Sequence, residues 1–211
     1  MRRFASLLLA GFALSWPCLG AGPGPSLLAD GEFDTDTGNW AIVGAVSGNS
    51  FGPFGEDADG CLGSGSVELI NGDTSGDLTF AEAVSECLPY NAVGSTLRLT
   101  VEARIMASTN GFDGSLAAIA FYTTADCTEP YASAPQTGTF SPPGDWYPLV
   151  KVATVPAGTQ SLRVRLQVSK SLALQPSVIV LFDRVYLGSN AYVFNEGHEL
   201  GEACRWNTVA P

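Results

Sequence analysis

Apolar and polar positions along this chain alternate in short runs. Leu97, Leu99, Val101, Ala103 and Ile105 are interleaved with Arg98, Thr100, Glu102, Arg104 and Met106. A period of two puts one set on each face of a strand. Leu162, Val164, Leu166 and Val168 repeat the pattern against Arg163, Arg165 and Gln167. Both segments are predicted to be half-buried strands. Ser66–Ile70 is a shorter β-rich run, and Leu116–Thr123 is more continuously apolar. Ser177–Phe182 is β-branched and apolar throughout, which predicts a strand covered on both faces. It continues through Asp183–Leu187.

Turn signals break these runs at short intervals: Asn71-Gly72, Ser75-Gly76, Asn110-Gly111, Asp113-Gly114, Pro142-Pro143-Gly144 and Pro156-Ala157-Gly158. No helical periodicity separates the strands, which argues against a parallel α/β fold. The expectation is an all-β protein, an antiparallel β-sandwich.

The ends read differently. Met1-Arg2-Arg3, an apolar run from Phe4 to Trp16 and small residues at Gly20, Ala21 and Gly22 have the form of a secretory signal peptide. That run is shorter than the ~20 residues a membrane span needs. Bulky Trp16 and Pro17 before Cys18 argue against a lipidation site. Residues 1–22 are therefore expected to be a signal peptide and 25–190 a single domain. Residues 191–211, where the pattern fades, are expected to be a C-terminal extension. The protein is expected to be secreted or periplasmic, with no membrane insertion after cleavage.

Charge sharpens the picture. The chain has 10 Lys+Arg against 21 Asp+Glu. Without Arg2 and Arg3 there are 8 against 21, a formal net charge of -13. An acidic surface of this kind repels nucleic acid and anionic membrane and favours cations. Beyond the signal, Cys61, Cys87, Cys127 and Cys204 remain, an even count that reads as two disulfides. Four cysteines allow three pairings, and spacing does not choose among them. Zinc would want closer cysteine pairs and a nearer histidine than His198.

Several segments, taken in order, resemble the jelly-roll carbohydrate-binding modules of the galactose-binding-like group, related to families 4, 9 and 22. They are Leu28–Asp34 with Gly38-Asn39-Trp40, Gly63–Val67, Ser85-Glu86-Cys87-Leu88, Asp126-Cys127-Thr128, Gly144-Asp145-Trp146, Pro156–Thr159 before Leu162-Arg163-Val164, and Phe182–Leu187. Asp30 and Glu86 depart from the pattern, and Cys61 and the Cys204 tail are additions to it. The resemblance implies a Cys87–Cys127 bridge, with Cys61–Cys204 as the second. It also implies a structural calcium at Glu32 and Asp183, with Asp30 or Asp34 nearby, because calcium prefers carboxylate and carbonyl oxygens. Trp40 and Trp146 fall on positions that pack in the core.

Three further groups carry possible chemistry. Asn71–Glu82 has acidic and glycine spacing close to a calcium loop, but strands flank it, so a hairpin loop is expected, with a second weak cation site as the alternative. Arg98, Glu102 and Arg104 point one way from one strand, and Arg163, Arg165 and Gln167 do so from another. Were those strands neighbours, they would form a dense donor face of the kind that binds sugar hydroxyls beside an aromatic platform. Tyr122, Tyr131, Tyr147 and Trp206 are the freer aromatics. No Gly-x-Ser-x-Gly or His-Glu-x-x-His motif is present. The expected function is a non-catalytic carbohydrate-binding-type module with a glycan as partner. A structural or adhesive extracellular protein of the same fold is the alternative, and a glycan-active enzyme ranks below both.

Overall fold

The computed structural model describes residues 26–33, 36–44, 46–58, 60, 65–107, 113–128, 130–139 and 143–189. The expected signal peptide and C-terminal extension, with Asp34, Cys18, Cys61, Cys204, His198 and Trp206, lie outside the described residues. Among those residues every regular element is a strand, and no helix is long and apolar enough to cross a membrane.

Two antiparallel sheets face one another. One contains β1 (Ala41–Val43), β4 (Thr79–Val84), β10 (Ser161–Lys170), β7 (Gly114–Tyr122) and β8 (Gln136–Thr139) in that order, with β5 (Leu88–Pro89) also paired to β10. The other runs β2 (Ser50–Phe54), β3 (Ser66–Asn71), β11 (Val178–Gly188), β6 (Thr96–Ala107) and β9 (Trp146–Thr154). Successive strands often change sheet, which is the jelly-roll arrangement.

The alternation places the core as expected. Leu97, Leu99, Val101, Ala103 and Ile105 of β6 meet Leu162, Val164, Leu166 and Val168 of β10 in one buried cluster. Burying such side chains contributes roughly 1.5–3 kcal/mol each. β11 is covered on both faces along nearly its whole length, as its unbroken apolar run predicted.

The N-terminal segment straps the sandwich. Leu27 N–H donates to Leu187 O (2.7 Å), and Val185 N–H donates to Gly31 O (2.8 Å). Phe33 and Trp40 pack edge to face at 5.5 Å within the core. A Cβ on Gly31 would lie 1.9 Å from Val185 O, so only glycine fits there. Trp146 differs from expectation. It opens β9 opposite Arg104 and is only half-buried, because this position faces outward from the sheet.

Residues 72–78 do not form a hairpin. β3 and β4 belong to different sheets, so the segment arches from one layer to the other. A pattern of apolar runs shows where a strand ends. It does not show which sheet the next strand joins.

Candidate functional site

The two polar strand faces of the sequence do not join. β6 pairs with β11 and β9, whereas β10 pairs with β4 and β7 in the opposite sheet. Arg98, Glu102 and Arg104 therefore point out from one side of the sandwich, and Arg163, Arg165 and Gln167 from the other. Alternation within a strand fixes the inward face but leaves the neighbours open, which is why the single donor face fails.

The β10 side holds a groove. Its volume is about 440 Å³, within the usual range of small-molecule sites. Gln167 and Ser169 of β10 and Leu116 of β7 form its floor, and Gln136 lies at one side. Leu78 and Phe80 form an apolar wall and are 61% and 47% exposed. Ser171 lies at the end beyond Ser169. Amides, hydroxyls and an exposed aromatic ring thus share one concave surface. Among the described residues, no ionisable side chain lines it.

Beside Gln167 stands a charged and aromatic node. Arg165 is 9% exposed and gives its Nε and Nη2 to the two carboxylate oxygens of Glu82, the latter at 2.7 Å. Its guanidinium also lies 4.6 Å from the centre of the Tyr131 ring. Such stacking favours the planar cation of arginine. Tyr131 meets Tyr122 edge on at 6.3 Å. Of the expected aromatics, Tyr131 is 40% exposed, Tyr122 is buried and Tyr147 is half-buried on the other sheet. Arg163 is half-buried further along β10.

The Cys87–Cys127 bridge is formed, as the resemblance implied. It lies beside Tyr122 and Ala120, next to this node. Hydrogen bonds from the Thr128 and Thr124 side chains hold the neighbouring Asp126 carboxyl below its ordinary range.

At the Ser171 end the loops are fixed by buried charge. Ser171 donates from N–H and Oγ–H to Asp113 Oδ1 (3.0 and 2.9 Å). Leu78 N–H donates to Ser171 O (3.3 Å). Lys170 is buried, and its Nζ donates to Asp73 O (2.8 Å) and Ala173 O (3.4 Å). The Asp73 carboxylate accepts from Ser75 N–H and the Asp77 carboxylate from Ala173 N–H. Hydrogen bonding to Ser75 holds the Asp73 carboxyl below its ordinary range. Within Asn71–Glu82, the segment with calcium-loop spacing, the Asp73 carbonyl thus receives an ammonium group.

On the other sheet, Arg104 pairs with Glu56 at 2.5 Å, and Glu102 sits opposite Asp183. Asp183 is 1% exposed. Its Oδ2 accepts from Ala58 N–H (2.9 Å) and its Oδ1 from Arg184 N–H (2.7 Å). Burial pushes this carboxyl up to about 8, and the negative charges of Asp57 and Glu32 add to the effect. Burial also raises Glu102, and Arg184 opposes the shift. Between Asp183 and Tyr186 the β6–β11 register shifts, with Arg184 at φ 53°, a bulge beside the acids.

The charge of Glu32 acts on the Asp183 carboxyl, whereas Asp30 is engaged elsewhere. Its Oδ2 accepts from Asn39 N–H (3.2 Å) in the turn before Trp40. Asp57 is the second acid whose charge acts on Asp183, unanticipated because it is far from both in sequence. Among the described residues, no group of three or more His, Cys, Asp or Glu side chains is arranged to hold a metal ion.

No protein-family profile and no curated protein matches this chain. Solved structures do. A family 22 xylan-binding domain from Paenibacillus barcinonensis Xyn10C superposes with TM-score 0.53 at 16% identity, covering 74% of this chain and 95% of the other. A family 61 module solved with β-1,4-galactotriose gives 0.52 at 10% identity, covering 79% and 100%. The enzymatically active domain of bacteriophage CBA120 tailspike protein 4 gives 0.55 at 16% identity. There, 77% of this chain matches only 21% of that one, so the chain spans about a fifth of that domain's length. The class these structures define is the jelly-roll β-sandwich. More particularly, this chain has the jelly-roll fold of the carbohydrate-binding modules.

Proposed function

We propose that this protein binds a glycan, without catalysis, in the groove on the outer face of the sheet containing β10. One observation carries the reading: Phe80 and Leu78 offer an apolar wall opposite the amides of Gln136 and Gln167 in a groove of about 440 Å³. Pyranose rings present apolar CH faces and polar hydroxyl edges, and this groove has a surface for each. The similar structures include a xylan-binding domain and a module solved with β-1,4-galactotriose, which supplies the first probes. Affinity electrophoresis and calorimetry with xylan and β-1,4-galactan test it. Phe80→Ala and Gln167→Ala are each expected to weaken binding roughly tenfold, the equivalent of ~1.4 kcal/mol. Arg98→Ala with Arg104→Ala, on the opposite face, is expected to leave it unchanged. Equal binding by all these variants rules out the groove.

A bound calcium and an extracytoplasmic location belong to the same proposal. A carboxyl raised by burial, and further by the charges of Asp57 and Glu32, is an arrangement that a hard divalent cation relieves. Asp183 and Glu32 would supply carboxylate oxygens, with loop carbonyls and water completing the set, since no three acids converge there among the described residues. Calcium is expected to raise the melting temperature over that in chelator, and Asp183→Asn to abolish the gain. An unchanged melting temperature counts against calcium. The Cys87–Cys127 bridge supports an oxidising compartment.

A further inference from the structure

The outer face of the β10 sheet has two unlike halves. Toward Ser161, residues that point away from the core are nevertheless buried: Ala118 and Tyr122 of β7 are 3% and 1% exposed, and Arg165 of β10 is 9% exposed. Their cover is local. Tyr131 lies over the Arg165 guanidinium, and Ala134 packs against Ala120, Tyr122 and Cys127. Toward Lys170 the face is open, and there the groove runs past Phe80, Ser169 and Gln167.

The groove meets the covered half at one row of the sheet. Gln136, Ala118 and Arg165 stand side by side across β8, β7 and β10. Gln136 lines the groove, whereas Arg165 is already beneath Tyr131. This barrier is rigid. Arg165 is held by both oxygens of Glu82 and stacks against an aromatic ring, which itself abuts Tyr122. The Cys87–Cys127 bridge fixes the segments behind it. A side chain bound on so many sides does not swing away to admit a ligand without losing a mostly buried ion pair.

We infer that the groove is blind at the Arg165–Tyr131 node and takes the terminus of a glycan chain, not its interior. The inference rests on the glycan-binding reading above and adds the mode of engagement. The amides of Gln136 and Gln167, at the closed end, contact the last sugar. Phe80 and Leu78 carry the residues behind it.

Stoichiometry distinguishes the two modes. The full chain is titrated with xylan and β-1,4-galactan before and after partial endo-hydrolysis, and with xylohexaose and β-1,4-galactotriose. The expected result is one protein bound per glycan chain whatever its length, so that capacity per gram rises in proportion to chain ends. Capacity per gram independent of chain ends overturns the inference and leaves glycan binding intact. Failure of all four probes to bind overturns both. Tyr131→Ala supplies the second arm. Removing the ring is expected to open the barrier, so that several proteins bind each unhydrolysed chain. A variant that binds with the same end-limited stoichiometry as the parent also overturns the inference.

Discussion

Arg165 shows how one side chain serves both stability and shape. It is largely buried and bidentate on Glu82. Arg165→Ala leaves a carboxylate without its partner in a low-dielectric setting. The expected cost is about 3–5 kcal/mol, read from urea unfolding. Glu82→Gln is expected to be milder, because the amide keeps one acceptor. Asp183 works in the opposite sense. Its folded-state pKa of about 8 lies above the ordinary 3.8, so the folded protein holds a proton that the unfolded chain releases. Stability therefore falls as pH rises between these values. Thermal midpoints measured in chelator are expected to decline from about pH 5 to pH 8, and Asp183→Asn to flatten the decline. A midpoint that rises over that window refutes the assignment.

At the scale of elements, the strap formed by residues 26–33 gives a direct test. Gly31→Ala drives a methyl group into Val185 O. It is expected to detach the strap from β11, with faster amide exchange at Leu27 and Val185 and a lower melting temperature. β6 and β10 were legible in the sequence because polar and apolar residues alternate along each, although the outward residues of β10 are themselves largely covered. β11 was legible for the opposite reason, its opening run being apolar without alternation. β9 was not. Val150 and Val152 face outward and Lys151 lies between them, so its apolar pattern reads inside out, with Pro148 at the edge. The site divides in the same way. Arg165 and Gln167 stood out as polar residues alternating with apolar ones, and Tyr131 as an aromatic outside the strand patterns. Phe80, Leu116 and Gln136 become neighbours only when β4, β7, β8 and β10 pair, and no local pattern encodes that pairing.

For the whole molecule, the sandwich separates two polar surfaces by its full thickness. The acid cluster around Asp183 and the groove lie on opposite sides, so substitutions in one are expected to leave the other undisturbed. The Cys87–Cys127 bridge spans 40 residues and links the β4–β5 turn to the turn after β7. On the chain-entropy account a loop of that length contributes about 4 kcal/mol. Cys87→Ser with Cys127→Ser is expected to lower stability by up to that amount and to loosen the Tyr131 segment, as measured by denaturant midpoint and hydrogen exchange.

The buried ammonium of Lys170 has a further effect. A loop that borrows a dissolved ion keeps its form only while the surroundings supply that ion. Here the positive charge is tethered to the backbone by its own aliphatic stem and cannot diffuse away. The groove wall carrying Leu78 and Ser171 is therefore expected to keep its form in soft water, brine or chelator alike.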